Sequence, residues 1–201
     1  MRRKIFLVCV PLLGCAGAFG LENAPATVDW KAMLPAVRSS VRQAFPKEAA
    51  QAHYPASVSQ TADVTGMGLS EALVDLGSGA YTDELTLLRM EGDRPVVARF
   101  RGKNDKVGSM VFLNGLSEGN GEAVELRPKE HVVYSGHWIV NGTKVKRCRG
   151  EAYQWDGVAK GFSFDRKLSK TLTREFCQKV EADLTKHSPL SPSTSPGVRS
   201  E

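Results

Sequence analysis

No segment of this sequence is long enough and apolar enough to be read as a membrane-spanning helix. The longest uncharged run, Ile5 to Leu21, falls short of the ~20 residues that a helix needs to cross a bilayer. Signatures of metal and nucleophile chemistry are missing as well. There is no H-E-x-x-H, no paired Cys/His spacing and no G-x-S-x-G elbow, so neither a zinc site nor an esterase-type serine is expected. Internal repeats are absent. A strong charge excess is absent too: the formal +5 includes Arg2, Arg3 and Lys4, and without them 24 positive side chains face 22 negative ones. That balance gives no reason to expect a nucleic-acid partner.

What is present starts at the N-terminus. Arg2, Arg3 and Lys4 precede the apolar "IFLVCVPLLG", and small residues follow in "CAGAFG", the order of an export signal over residues 1–20. Two cuts suit it. A signal peptidase would cut after "AGA" or "AFG"; alternatively "LLGC" resembles a bacterial lipobox, with Cys15 acylated as the mature N-terminus. Any membrane attachment would then run through the signal or the lipid. Of four cysteines, Cys9 leaves with the signal and Cys15 leaves or is lipidated. Cys148 and Cys177 remain, and in an oxidising compartment they predict one disulfide.

One domain is expected over residues 21–184, with 41% apolar residues to fill its core. Trp30, Met33, Leu34, Val37 and Val41 recur at helical spacing, so a helix should start near Leu34, with Pro35 in its first turn, and end at Pro46. Residues Lys47 to Thr61 have no sustained period and read as a loop. From Glu71 the period becomes two. "EALVDL", "ELTLLRM", "PVVARFR", "SMVFLNG", "EAVELR", "HVVYSGHWIV", "EAYQWDG" and "KGFSFD" are short strand-like runs separated by Gly, Asn and Asp turns. Asn141-Gly142 predicts a two-residue hairpin turn, which would set Val145 opposite Trp138. Leu168, Leu172, Phe176, Val180 and Leu184 then recur every fourth residue behind a capping Asp165. Residues 185–201 are Ser/Pro-rich and expected to be disordered. The fold class expected is α+β: a twisted antiparallel meander of six to eight strands with an N-terminal and a C-terminal helix.

The stretch "DVTGMGLSEALVDLG", Asp63 to Gly77, resembles the acidic loop and following strand of FG-GAP or VCBS-type repeats, and exported bacterial proteins of unknown function that carry one such motif. The resemblance implies calcium as the cofactor. Its ligands would be the Asp63 and Glu71 carboxylates, the Thr65 hydroxyl and the Leu69 carbonyl, with Met67 standing where an acid is usual. Calcium takes 6–8 oxygens and a thioether is a poor ligand for it, so affinity should fall toward the millimolar end. The residues themselves favour a metal-free turn, with no cofactor, in which Asp63 accepts backbone N–H bonds. Such repeats usually build propeller blades; a single copy excludes a whole propeller.

The other chemistry-bearing residues are less patterned. His131 and His137 share strand parity but should lie about 20 Å apart, while His53 and His187 fall in a loop and the tail. Asp63, Asp75, Asp83 and Glu84 cluster in sequence around the first strand. They read either as a solvated rim or as carboxylates for general acid/base hydrolysis. Tyr134, Trp138, Tyr153, Trp155 and Phe162 read as core or as an aromatic ligand face. "KVKRCR", Lys144 to Arg149, reads as a solvated strand edge or an anionic-surface contact. The function expected is a non-catalytic, monomeric module of the cell envelope that binds an envelope protein or glycan, an inhibitor of a foreign hydrolase being one version. The alternative is a small secreted hydrolase built on those carboxylates.

Overall fold

A chain whose apolar residues alternate over eight short runs must pair those runs edge to edge and bury one face of each. The computed structural model does so and describes residues 27–46, 57–78, 81–117, 119–142 and 144–186. The proposed signal, Cys15 and the Ser/Pro-rich segment past residue 186 lie outside the described residues.

Helix α1 spans Leu34–Ala44, with Pro35 in its first turn, where a missing N–H breaks no intrahelical bond. Val37 and Val41, one turn apart, are buried, and Phe45 follows them inward. The strands are β1 (Ser57–Ala62), β2 (Glu71–Ser78), β3 (Thr82–Glu91), β4 (Arg94–Val97), β5 (Phe100–Arg101), β6 (Val107–Gly108), β7 (Phe112–Ser117), β8 (Asn120–Arg127), β9 (Val132–Asn141), β10 (Lys144–Asp156) and β11 (Gly161–Asp165). Helix α2 spans Arg166–Lys186. Its start is capped by Asp165, whose Oδ1 accepts the Leu168 N–H at 2.7 Å.

The class is α+β. Strand order is β1-β2-β3-β7-β8-β9-β10-β11-β5-β6, with β4 also on β3, and every pair is antiparallel except β11 with β5. The extended segment 94–101 closes the path. At one end it pairs with β3, continued by the Ala98 N–H to the Leu87 carbonyl; at the other the Phe162 N–H reaches the Arg99 carbonyl and β5 joins β11. The strands thus form a ring around one apolar cluster, with Leu85, Leu87, Phe100, Phe112, Leu126 and Phe162 among its members. Phe100 is its centre, stacked on Phe162 and edge-on to Phe112 and Tyr153. Two satellite clusters lie on the outer faces. Helix α1 covers β2–β4 through Val37 and Val41 against Val74 and Leu88, and α2 covers β9 and β10 through Leu172 and Phe176 against Tyr134 and Ala152.

Three details correct the expectations. The sheet has eleven strands, not six to eight: β5 and β6 are two residues each, too short to carry a period, and β4 leads into β5 through Ala98-Arg99. Residues 57–62, read as loop, form β1; its side chains are mostly exposed because it is an edge strand on β2, so no alternation marks it. The β9–β10 register also differs. Asn141 pairs with Lys144, so Asn141 belongs to the strand ladder and not to the turn, and a bulge between Val145 and Arg147 sets Cys148, not Val145, opposite Trp138. The bulge restores the parity that turns Cys148 toward α2.

Candidate functional site

The loop between β1 and β2 is held by its two carboxylates. Asp63 Oδ1 accepts the N–H groups of Gly66 at 2.7 Å and Met67 at 3.2 Å, and Oδ2 accepts that of Gly68 at 2.9 Å. Gly66 and Gly68 have φ of +69° and +78°, a region that favours glycine. Glu71 is buried, and its Oε2 takes the Val64 and Thr65 N–H groups while Oε1 takes the Thr65 hydroxyl at 2.9 Å. Burial pushes the Glu71 carboxyl above the ordinary glutamate value, and the Thr65 and Val64 hydrogen bonds offset only part of that. Both acids therefore act as receptors for the loop's own backbone donors, and a cation there would compete with them. Met67 and Leu69 are exposed, and the His131 ring packs on Gly66 where a Cβ would collide with it. Among the described residues no three His, Cys, Asp or Glu side chains converge as a metal-binding group.

The other acids, Asp75, Asp83 and Glu84, lie near one another across the β2–β3 pair and away from this loop. Asp75 is the fifth of the eight residues of β2, and its Oδ1 accepts the Gly77 N–H at 2.9 Å. Glu71 and Asp75 are four strand residues apart, about 13 Å. Asp83 and Glu84 are neighbours on β3 and so point to opposite faces, opposite Asn114 and Leu113 of β7. The aromatics pack instead of lining a face. Tyr153 and Phe162 are in the ring core, and Tyr134 and Trp138 both lie against Phe176 of α2, with ring centroids 5.4 Å away in each case.

The more distinctive surface is around α2. Cys148 of β10 and Cys177 of α2 are bonded, S–S 2.06 Å, and fix the helix to the strand. Helix and strand run antiparallel in a regular register. Ser169 Oγ accepts the Ala152 N–H at 2.9 Å, Thr173 lies within 3.2 Å of the Tyr134 hydroxyl beside Gly150, and Cys177 bonds Cys148. A Cβ on Gly150 would collide with that hydroxyl. Four helix residues, about 6 Å of rise, thus match two strand residues, about 6.6 Å.

The two flanks of α2 carry charge differently. Toward β8, Glu125 accepts Arg127 Nη2 at 2.9 Å and Lys179 Nζ at 3.1 Å, and Arg127 Nη1 reaches Glu175 at 3.1 Å. Burial alone would raise the Glu125 carboxyl, but Lys179 and Arg127 together hold it below the ordinary value. Toward β11, a groove of about 780 Å³ opens between α2 and β10. Arg149, Arg166, Lys170 and Arg174 line it, with Lys103 from the β5–β6 turn at its rim. Lys103 pairs with Glu151 at 2.7 Å and lies over the Phe164 ring. Burial would raise the Glu151 carboxyl, and the hydrogen bonds from Lys103 and Tyr153 outweigh it, so it too sits low. Arg166, Lys170 and Arg174 form no ion pair with any described residue, and Arg149 acts on Glu151 only through space.

Sequence reasoning singled out the basic "KVKRCR" run, of which Cys148 and Arg149 line the groove, and missed the α2 wall. The signal was available: Arg166, Lys170 and Arg174 are spaced four apart on a helix already assigned. No family model matches the chain, no curated protein matches it, and no solved structure matches its fold.

Proposed function

We propose that this protein is an exported, non-catalytic binding module of the cell envelope, and that the groove between β10 and α2 is its binding surface for an anionic partner. The observation that carries this reading is the unbalanced charge of the groove: Arg166, Lys170 and Arg174 share one helix face with no described counter-ion. Like charges at i,i+4 destabilise a helix by a few tenths of a kcal/mol per pair. Cations in the first turns also oppose the helix dipole. A fold that accepts these costs on one flank while neutralising the other is organised for something outside itself. The Cys148–Cys177 bond fits an oxidising compartment. The hydrolase alternative has less behind it, because Asp63, Asp75, Asp83 and Glu84 line none of this groove and Asp63, in the loop before β2, is separated from the other three.

The test is affinity capture from envelope extract with the mature protein and with a Lys170→Glu/Arg174→Glu variant. The wild type should retain a partner that elutes with salt, and the variant should lose it. Equal retention by both would remove the groove from the function.

A further inference from the structure

We propose that the groove takes an extended, acidic polypeptide segment, which adds to the open edge of β10 as a further strand. This rests on the binding reading above and names the class of partner.

The first observation is the edge itself. β9 pairs with β10 from Lys144 to Gln154, whereas on the other side β11 covers only Ala152 to Asp156. Lys144–Glu151 therefore has no second partner strand among the described residues. The bulge between Val145 and Arg147 interrupts its start, and Lys103 caps its end at Glu151, so the straight open run is Arg147 to Gly150. Unpaired N–H and C=O groups along such a run are a template for an incoming strand.

The second observation is charge. Arg147 and Arg149 on the edge reject a second copy of this same edge, because two such strands would set like charges against each other. Edge protection needs only the strand's own charges and the bulge. It does not account for Arg166, Lys170 and Arg174, which stand on a different element and face the same groove. Together the two walls repel a basic or identical strand and attract an acidic one.

The third observation is the register. Ser169, Thr173 and Cys177 step along Ala152, Gly150 and Cys148, four helix residues for two strand residues. Side chains on one face of an added strand repeat every second residue, about 6.6 Å, and Arg166, Lys170 and Arg174 repeat every about 6 Å. Alternate carboxylates of an added strand would thus meet successive cations of α2. Backbone bonds to β10 would supply affinity, and this ladder would supply selectivity for acid at every second position. A sugar polyanion could use the cations but not the strand edge.

The experiment titrates the full mature protein with a fluorescent octapeptide of alternating Glu and Val, read by anisotropy. Controls are two versions methylated at every second backbone nitrogen, one in each phase, and polygalacturonate of matched charge. The unmethylated peptide should bind, with about tenfold or greater loss in one methylated phase and in the Lys170→Glu/Arg174→Glu variant. Equal binding in both methylated phases would overturn strand addition. Tighter binding of polygalacturonate would overturn the polypeptide class and leave the binding module standing. No binding of any probe would also overturn the proposal, and the capture experiment decides the broader reading separately.

Discussion

Helix α2 presents two long flanks to solvent, and their charges are arranged on opposite principles. On the β8 side Glu125, Arg127, Glu175 and Lys179 form a closed network, with the Arg127 guanidinium also over the Tyr134 ring. On the β11 side Arg166, Lys170 and Arg174 form an open ladder with nothing described to answer it. Both flanks belong to one helix, on one pair of strands, beside one disulfide, so burial and helix propensity are shared. The difference teaches which flank the fold uses to hold the helix and which, on the proposed reading, it leaves for another molecule.

The largest effect should come from the bond common to both flanks. Replacing Cys148 and Cys177 together by Ser removes a cross-link between residues 29 apart, worth about 3–4 kcal/mol in the chain-entropy model. Urea unfolding should report that loss. Hydrogen exchange should then show β10 amides at Arg147–Gly150 opening more than those of β8, because the β8 flank keeps its ion pairs. Equal loosening of both would mean that the network holds nothing.

The next effect isolates the closed flank. Glu125→Gln removes the shared acceptor of Arg127 and Lys179 and should cost about 1–2 kcal/mol at neutral pH, the range for charge-assisted hydrogen bonds on a half-buried group. The pH dependence has a definite sign. The folded Glu125 carboxyl sits below its ordinary value of 4.5, so its contribution is complete above that value and is lost as pH falls through the lowered one. Melting curves of wild type and variant should therefore converge on acidification. Glu151 and Glu71 are common to both proteins and cancel in the difference. Curves that stay parallel to low pH would deny the ion-pair role.

Much of this contrast was written in the sequence, and the part that was not has physical causes. Both helices and the cap of the second were legible, because Val37/Val41 and Leu168/Leu172/Phe176 keep a helical period and Asp165 precedes the second run. The disulfide followed from elimination among four cysteines. Strand β1 was hidden because an edge strand needs no apolar alternation, and closure of the ring was hidden because it depends on two-residue strands and a change of partner between Ala98 and Arg99. The acidic loop was legible as a shape; which partners its oxygens take was not, since Asp63 and Glu71 read alike whether they face a cation or an N–H. The groove could not be read whole, because Lys103, Arg149 and the α2 ladder meet only after β11 stops at Asp165 and leaves the β10 edge open.

The smallest effect is the most discriminating, because its sign is opposite to the others. Lys170→Glu on the open flank replaces two repulsive i,i+4 pairs, with Arg166 and with Arg174, by two attractive ones. At a few tenths of a kcal/mol for each pair and each sense, the protein should gain roughly 1 kcal/mol. The gain should shrink with added salt, since all three side chains are exposed. Stability would rise as partner binding falls, the pattern of a residue kept for function at the expense of the fold. Thermal unfolding at low and high salt measures it. A destabilised variant would mean that Lys170 supports the helix, and the two flanks would then differ in arrangement but not in purpose.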